Sequence, residues 1–236
     1  MHVGVLRALE ELGLAPDLIV GASVGAVVGG LRAAGRSAAE IEHLALALNP
    51  LAVARLALGS AERFSGAPVA QIMREQARQQ HIERLPLALA CVAVRRRDGA
   101  AVAFTAGDIG LAVQASVAIE GQFAPVRIRG ETYVDADRVA PLPVRVARQL
   151  GAARVLAVDA SAHADRAPPS AARYRESDLQ KQALVAADAR HADVVLKPDF
   201  GYWVSLSREF RERAIAAGYR DTMAMATVLR ELHRRA

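Results

Sequence analysis

Apolar residues recur at helical spacing from the start of the chain, at Val3, Leu6, Leu9 and Leu12, with Arg7, Glu10 and Glu11 on the other side. That period predicts an amphipathic helix stopped by Gly13. Asp17-Leu-Ile-Val-Gly21 has the length of a strand, and Ala22 to Ala34 reads as a helix rich in small residues that ends at Gly35. Ser37-Ala-Ala-Glu40 is a capping-box pattern, in which the serine accepts an orphan backbone N–H and the glutamate reaches back to the cap. It opens a helix to about Leu48 that Asn49-Pro50 stops. Residues 51–66, with Gly59-Ser60 and Ser65-Gly66, predict irregular structure or a short helix, and Pro68 to Gln80 a helix with a polar face. Leu87–Val94 is a continuous apolar run, and Asp98-Gly99 between it and Ala101–Phe104 predicts a hairpin. Asp108 caps a helix to about Ala118. Val126–Ile128 and Glu131–Val134 are short strands around the Arg129-Gly130 turn, followed by a helix over Pro143–Leu150 and a strand over Arg154–Asp159. The Ala/Pro/Arg-rich residues 161–175 predict a mobile loop. A helix, the strand Asp193–Leu196 and two terminal helices from about Ser205 to Arg235 complete the chain. Strands alternating with helices predict an α/β sandwich with a mostly parallel sheet. No repeat or internal boundary interrupts the pattern, so a single domain over residues 1–236 is expected.

Composition narrows this picture. Apolar residues at 53% and charged residues at 23% are globular values, and aromatics at 4% leave the core to Ala, Val and Leu. Thirty basic against 25 acidic residues give a net charge of +5, which permits contact with anionic surfaces. Arg95-Arg-Arg97 has no interleaved aromatics and sits at the predicted hairpin, so it reads as a solvated turn rather than a nucleic-acid site. The Arg-rich C-terminal helices also carry Glu209, Glu212, Asp221 and Glu231, so they read as solvated faces, with docking to anionic headgroups as the other reading. A single cysteine, Cys91, excludes an intramolecular disulfide and any multi-cysteine metal site, and its apolar surroundings predict a buried small hydrophobe. No cofactor or metal is expected. The uncharged run Leu18–Leu31 is shorter than the ~20 residues of a spanning helix, and the chain shows no signal-peptide pattern. A cytoplasmic protein, with peripheral membrane contact as an option, is expected.

Gly21-Ala-Ser-Val-Gly25 matches the G-x-S-x-G nucleophile elbow. The serine of an elbow sits on a tight strand-to-helix turn, so the positions two before and two after it must lack side chains. The next backbone N–H, from Val24, then points at a developing oxyanion, aided by the positive end of the helix. The bland alternative is a small-residue turn needed only for close packing. A serine needs a base. His163 and His191 follow Asp135 and would complete a Ser, Asp, His order, but one lies in the predicted loop and the other near a helix end. Asp135 ends a strand where a carboxylate would be presented at a sheet edge, with Asp137 two residues on. Asx-turn chemistry explains many such pairs.

Taken together, the motifs resemble the bacterial patatin-like phospholipases. His2-Val-Gly-Val-Leu-Arg-Ala-Leu-Glu-Glu11, Gly21–Gly25, Leu31-Arg-Ala-Ala-Gly35, Ser116-Val-Ala-Ile119, Phe123-Ala-Pro-Val126, Tyr133-Val-Asp-Ala-Asp137 and Pro141-Leu-Pro-Val144 follow one another in that family's order. The match is dense over residues 2–160 and thin over 161–236. The resemblance implies a three-layer α/β/α sandwich and a Ser–Asp dyad, with Ser23 as nucleophile and Asp135 as its base. It also implies hydrolysis of carboxylic esters of lipids, phospholipid or lysophospholipid, without a cofactor. Three features depart from the family pattern. No Gly-rich oxyanion loop precedes His2, which leads to the expectation of a chain truncated at its start. The aspartate turn reads Asp135-Ala136-Asp137 where the family has glycines, which would strain the backbone if φ must be positive there. Glu120 stands at a usual proline and Ala140 at a usual asparagine. A catalytically impaired member that binds lipid or protein is the alternative.

Overall fold

The structure is a computed structural model and describes residues 1–48 and 65–234. In chain order the elements are α1 (His2–Glu11), β1 (Leu18–Ala22), α2 (Val24–Ala33), α3 (Ala38–Ala47), α4 (Ala67–Gln76), β2 (Ala88–Arg95) and β3 (Ala100–Phe104). They continue with α5 (Ile109–Ser116), β4 (Val126–Ile128), β5 (Glu131–Asp135), α6 (Val144–Gln149), β6 (Leu156–Val158), α7 (Arg175–Ala189), β7 (Val194–Leu196), α8 (Arg208–Ala224) and α9 (Ala226–Arg234). The expected stop at Asn49-Pro50 and most of the irregular stretch after it lie outside the described residues.

The chain forms two compact units. One comprises Asp17–Ser37 and Ala47–Pro143; the other comprises Met1–Pro16, Ala38–Leu46 and Val144–Ala236. The first carries a five-stranded sheet organised around β2, the apolar run, six of whose residues are buried in succession. β1 pairs parallel with β2, β3 pairs antiparallel with it through the Asp98-Gly99 turn, and β5 pairs antiparallel with it and with β4. In this five-stranded sheet one pairing among the described residues is parallel and three are antiparallel. The sheet is therefore mixed, not mostly parallel. The reason is local: two connections of this unit are tight turns, and a tight turn can only join antiparallel neighbours. The helices α2 and α5 pack on the sheet. Ala93, Ala115, Ala118, Val126 and Tyr133 form a core whose ring contact is Phe104 against Tyr133, edge to face at 4.9 Å.

In the second unit α1 packs against α8. A Cβ on Gly4 would lie 1.9 Å from the Ile215 carbonyl oxygen, so only glycine allows this backbone approach. Arg7 stacks on the Tyr219 ring at 4.2 Å, and Tyr219 donates its hydroxyl hydrogen to Glu11 at 2.6 Å. The Glu10 carboxylate accepts the Ala38 N–H at 3.1 Å, which supports the start of α3. β6 and β7 pair in parallel. Residues 161–175, expected as a mobile loop, instead contain two 3-10 segments, Ala164–Arg166 and Pro169–Tyr174, with Ala171 buried. Proline at the start of the second segment presets the helical φ that composition alone had suggested as loop.

Candidate active site

The two candidate residues leave the sheet at one break in its ladder. β1 pairs Gly21 with Cys91 and, last, Ala22 with Val92. β5 runs the other way and pairs Asp135 with Ala93. β3 occupies the opposite edge of β2 along residues 91–95. β1 and β5 therefore share one edge of β2, and their carboxyl ends meet head to head at consecutive β2 residues. Ser23 follows directly from one end, and Asp135 is the other.

Ser23 has φ 52° and ψ −126°, a region that L-residues rarely occupy and that costs about 1–3 kcal/mol. The glycines of the motif are what make the turn tight. A Cβ on Gly21 would fall 2.4 Å from the carbonyl oxygen of Gly25. α2 then lies close along β1, because a Cβ on Gly29 would meet Ile19 Cγ2 at 2.6 Å. Val24 begins α2 with its side chain exposed. The first intrahelical bonds are those of Ala26 and Val27 to the Ser23 carbonyl, so the Val24 N–H lies ahead of them at the positive end of the helix dipole. Cys91, opposite Gly21, is completely buried, and burial pushes its thiol up to about 12, so it stays an un-ionised filler of the core.

A residue whose role the sequence reading had not recognised holds this arrangement. Ser116, fully buried at the end of α5, accepts the Ser23 N–H at 2.9 Å and donates its hydroxyl hydrogen to the Val92 carbonyl at 2.7 Å. The hydroxyl bridges the donor and acceptor that lie where the β1 ladder ends. Two residues on, the Ala118 carbonyl accepts the Asp135 N–H at 3.0 Å. The exit of α5 thus ties down both strand ends. The available signal was a lone hydroxyl in an apolar helical segment, since a buried hydroxyl needs partners. α5 is itself anchored by Asp108, whose carboxylate accepts the Leu111 N–H at 3.0 Å and pairs with Arg74 at 2.8 Å. Burial pushes that carboxyl up, and the Leu111 and Arg74 bonds outweigh it, leaving it below the usual carboxylate range. Replacing Ser116 with alanine deprives the part-buried Ser23 N–H and the buried Val92 carbonyl of this partner and is expected to cost about 1–3 kcal/mol of stability. An unchanged urea midpoint for Ser116→Ala would show that the bridge contributes nothing.

The Asp135 side chain is buried, and one of its oxygens accepts the Asp137 N–H at 2.7 Å. This is the Asx turn anticipated for the pair. Neither Ala136 nor Asp137 has positive φ, so the strain foreseen for a turn without glycines does not arise. His163 and His191 belong to the other compact unit. His163 Nε2 lies 3.5 Å from the Pro198 carbonyl, and His191 is exposed, its carbonyl bound by Arg148. Both placements have local explanations.

A sequence model described as patatin-like phospholipase matches residues 1–148. The chain belongs to the patatin-like phospholipase family. An uncharacterised NTE family protein of Mycobacterium tuberculosis is 35% identical over 146 residues, which are 61% of this chain and 40% of that protein. The human patatin-like phospholipase domain-containing protein 6 is 30% identical over 168 residues, 67% of this chain and 12% of that protein. The lysophospholipase NTE1 of Mycosarcoma maydis is 28% identical over 178 residues, 71% of this chain and 9% of that protein. The chain thus spans well under half the length of these relatives. Among solved structures, VipD from Legionella pneumophila superposes with a TM-score of 0.57 at 14% identity, covering 96% of this chain and 64% of that one. The type III effector ExoU gives 0.51 at 16% identity, covering 97% and 50%. These two likenesses are of fold: an α/β architecture with a central sheet and helices.

Proposed function

We propose that this patatin-like chain is a lipid acyl hydrolase that cleaves carboxylic esters of phospholipids or lysophospholipids through Ser23 and Asp135. The observation that carries the reading is the head-to-head meeting of β1 and β5 on one edge of β2, with Ser23 on a strained glycine-flanked turn. Family membership and the lysophospholipase name of one relative support the substrate class.

Each step can be assigned to a named group. Asp135 takes the proton from Ser23 Oγ as that oxygen attacks the ester carbonyl. The negative charge that develops on the carbonyl oxygen is met by the Val24 N–H and the amino end of α2. Collapse of the tetrahedral adduct breaks the ester C–O bond. The leaving alcohol takes the proton from Asp135, and the acyl group remains on Ser23. Water, deprotonated by Asp135, then attacks the acyl carbonyl, and a fatty acid leaves as Ser23 recovers its proton. The Ser116 bridge acts on the ground-state geometry: it fixes the Ser23 backbone from which Oγ projects.

A second reading, a non-catalytic family member that binds lipid or protein, is favoured by one observation, the departure of Asp135-Ala136-Asp137 from the family's glycines. A fluorophosphonate probe separates the two, because it bonds only to an activated serine. The hydrolase reading expects one covalent adduct per chain, mapped by peptide mass to Ser23. Absence of labelling in folded protein would support the second reading.

A further inference from the structure

The chain has five Phe, four Tyr and one Trp, and half of these aromatics gather at one place in the unit that contains α7 and α8. Phe200 and Phe210 meet edge to face at 6.1 Å, with Phe210 buried beneath the loop that joins β7 to α8. Further along that loop, Trp203 contacts Tyr202 at 5.0 Å and Tyr174 at 6.2 Å. The inner rings anchor the loop, while its tip faces water: Trp203 is 50% exposed, Val204 67% and Leu206 69%. A soluble surface rarely places large apolar side chains so closely together in solvent unless they meet something.

We propose that this tip is a membrane-docking element that inserts Trp203, Val204 and Leu206 into the interfacial region of a phospholipid bilayer. Three features favour a bilayer as the occupant. Trp and Tyr have an apolar body and a polar tip, the combination enriched at headgroup depth, and Tyr202 already directs its hydroxyl to the Asp178 carboxylate at 2.8 Å. Exposed Arg173 and Arg175 flank Tyr174, with Arg173 over its ring at 4.7 Å, placing cations beside the apolar tip. The chain as a whole carries +5, complementary to an anionic leaflet. Glu176 and Asp178 offset the two arginines locally. Insertion of the tip therefore supplies the anchoring, and the net charge adds attraction that salt screens. Among the described residues no helix is long and apolar enough to cross a membrane, so this contact is peripheral. The choice of a lipid surface rests on the lipid-ester reading of the active site; the measurement below does not.

Trp203 is the only tryptophan of the chain, so its fluorescence reports this loop alone. The whole chain is titrated with vesicles of phosphatidylcholine, and of phosphatidylcholine with phosphatidylglycerol. The expected result is a blue shift of Trp203 emission with both, at lower lipid concentration with the anionic vesicles. A Val204→Asp/Leu206→Asp double variant, which keeps the tryptophan, is expected to bind roughly tenfold or more weakly. Its turnover of the water-soluble ester p-nitrophenyl butyrate is expected to be unchanged. An unshifted wild-type emission overturns the proposal, whether or not charge alone adsorbs the protein to anionic vesicles. Self-association in gel filtration that the double variant abolishes, without vesicle binding, also overturns it and assigns the tip to a second copy of the chain. A blue shift in a protein that a fluorophosphonate does not label leaves the docking element standing and removes the hydrolase reading. Normal labelling without a shift does the reverse.

Discussion

Turnover of a short-chain p-nitrophenyl ester by Ser23→Ala is expected to fall to background, a loss of roughly 10⁴-fold or more, while the protein stays folded. The substitution removes one oxygen and with it the acyl-enzyme route. It leaves in place everything that shapes the turn. The backbone N–H that Ser116 accepts is still there, the approach of Gly21 to Gly25 is unaltered, and the strain at φ 52° is borne equally by alanine. Unfolding by urea should therefore change by no more than about 0.5 kcal/mol. That combination, lost activity with retained stability, is what separates a nucleophile from a packing residue. Purified Ser23→Ala with wild-type rates would refute the elbow assignment.

The second large effect is expected at Asp135. Asp135→Asn should slow the same reaction by roughly 10²-fold or more, the usual scale for loss of a general base. The variant is a clean one, because an asparagine oxygen can still accept the Asp137 N–H that closes the Asx turn. Asp137→Asn should cost far less: Asp137 engages Asp135 through its backbone N–H, which the change does not touch. Comparison of kcat for the two single variants decides between the carboxylates. If Asp137→Asn is the more damaging, the proton acceptor has been assigned to the wrong aspartate.

What the sequence determined by itself lies within a few residues' reach. The apolar run Leu87–Val94 and the Asp98-Gly99 turn were enough to predict the β2–β3 hairpin, because turn sterics act between neighbours. Asp108 was readable as a cap since its acceptor reaches only to Leu111. The glycines of the elbow were readable for the same reason: the contact that forbids a side chain on Gly21 comes from Gly25, four residues on. Tertiary structure decided the remainder. That β5 returns to the very edge of β2 that β1 leaves, bringing Asp135 beside the turn at Ser23, depends on two separate pairings with β2, Leu18 with Ala88 and Ala93 with Asp135, whose partners lie tens of residues apart and which no local period encodes. The end of the β1 ladder likewise leaves the Ser23 N–H and the Val92 carbonyl for Ser116 to bridge. Tyr174 and Trp203 were likewise unremarkable in a chain poor in aromatics until the fold of their unit set them side by side in solvent.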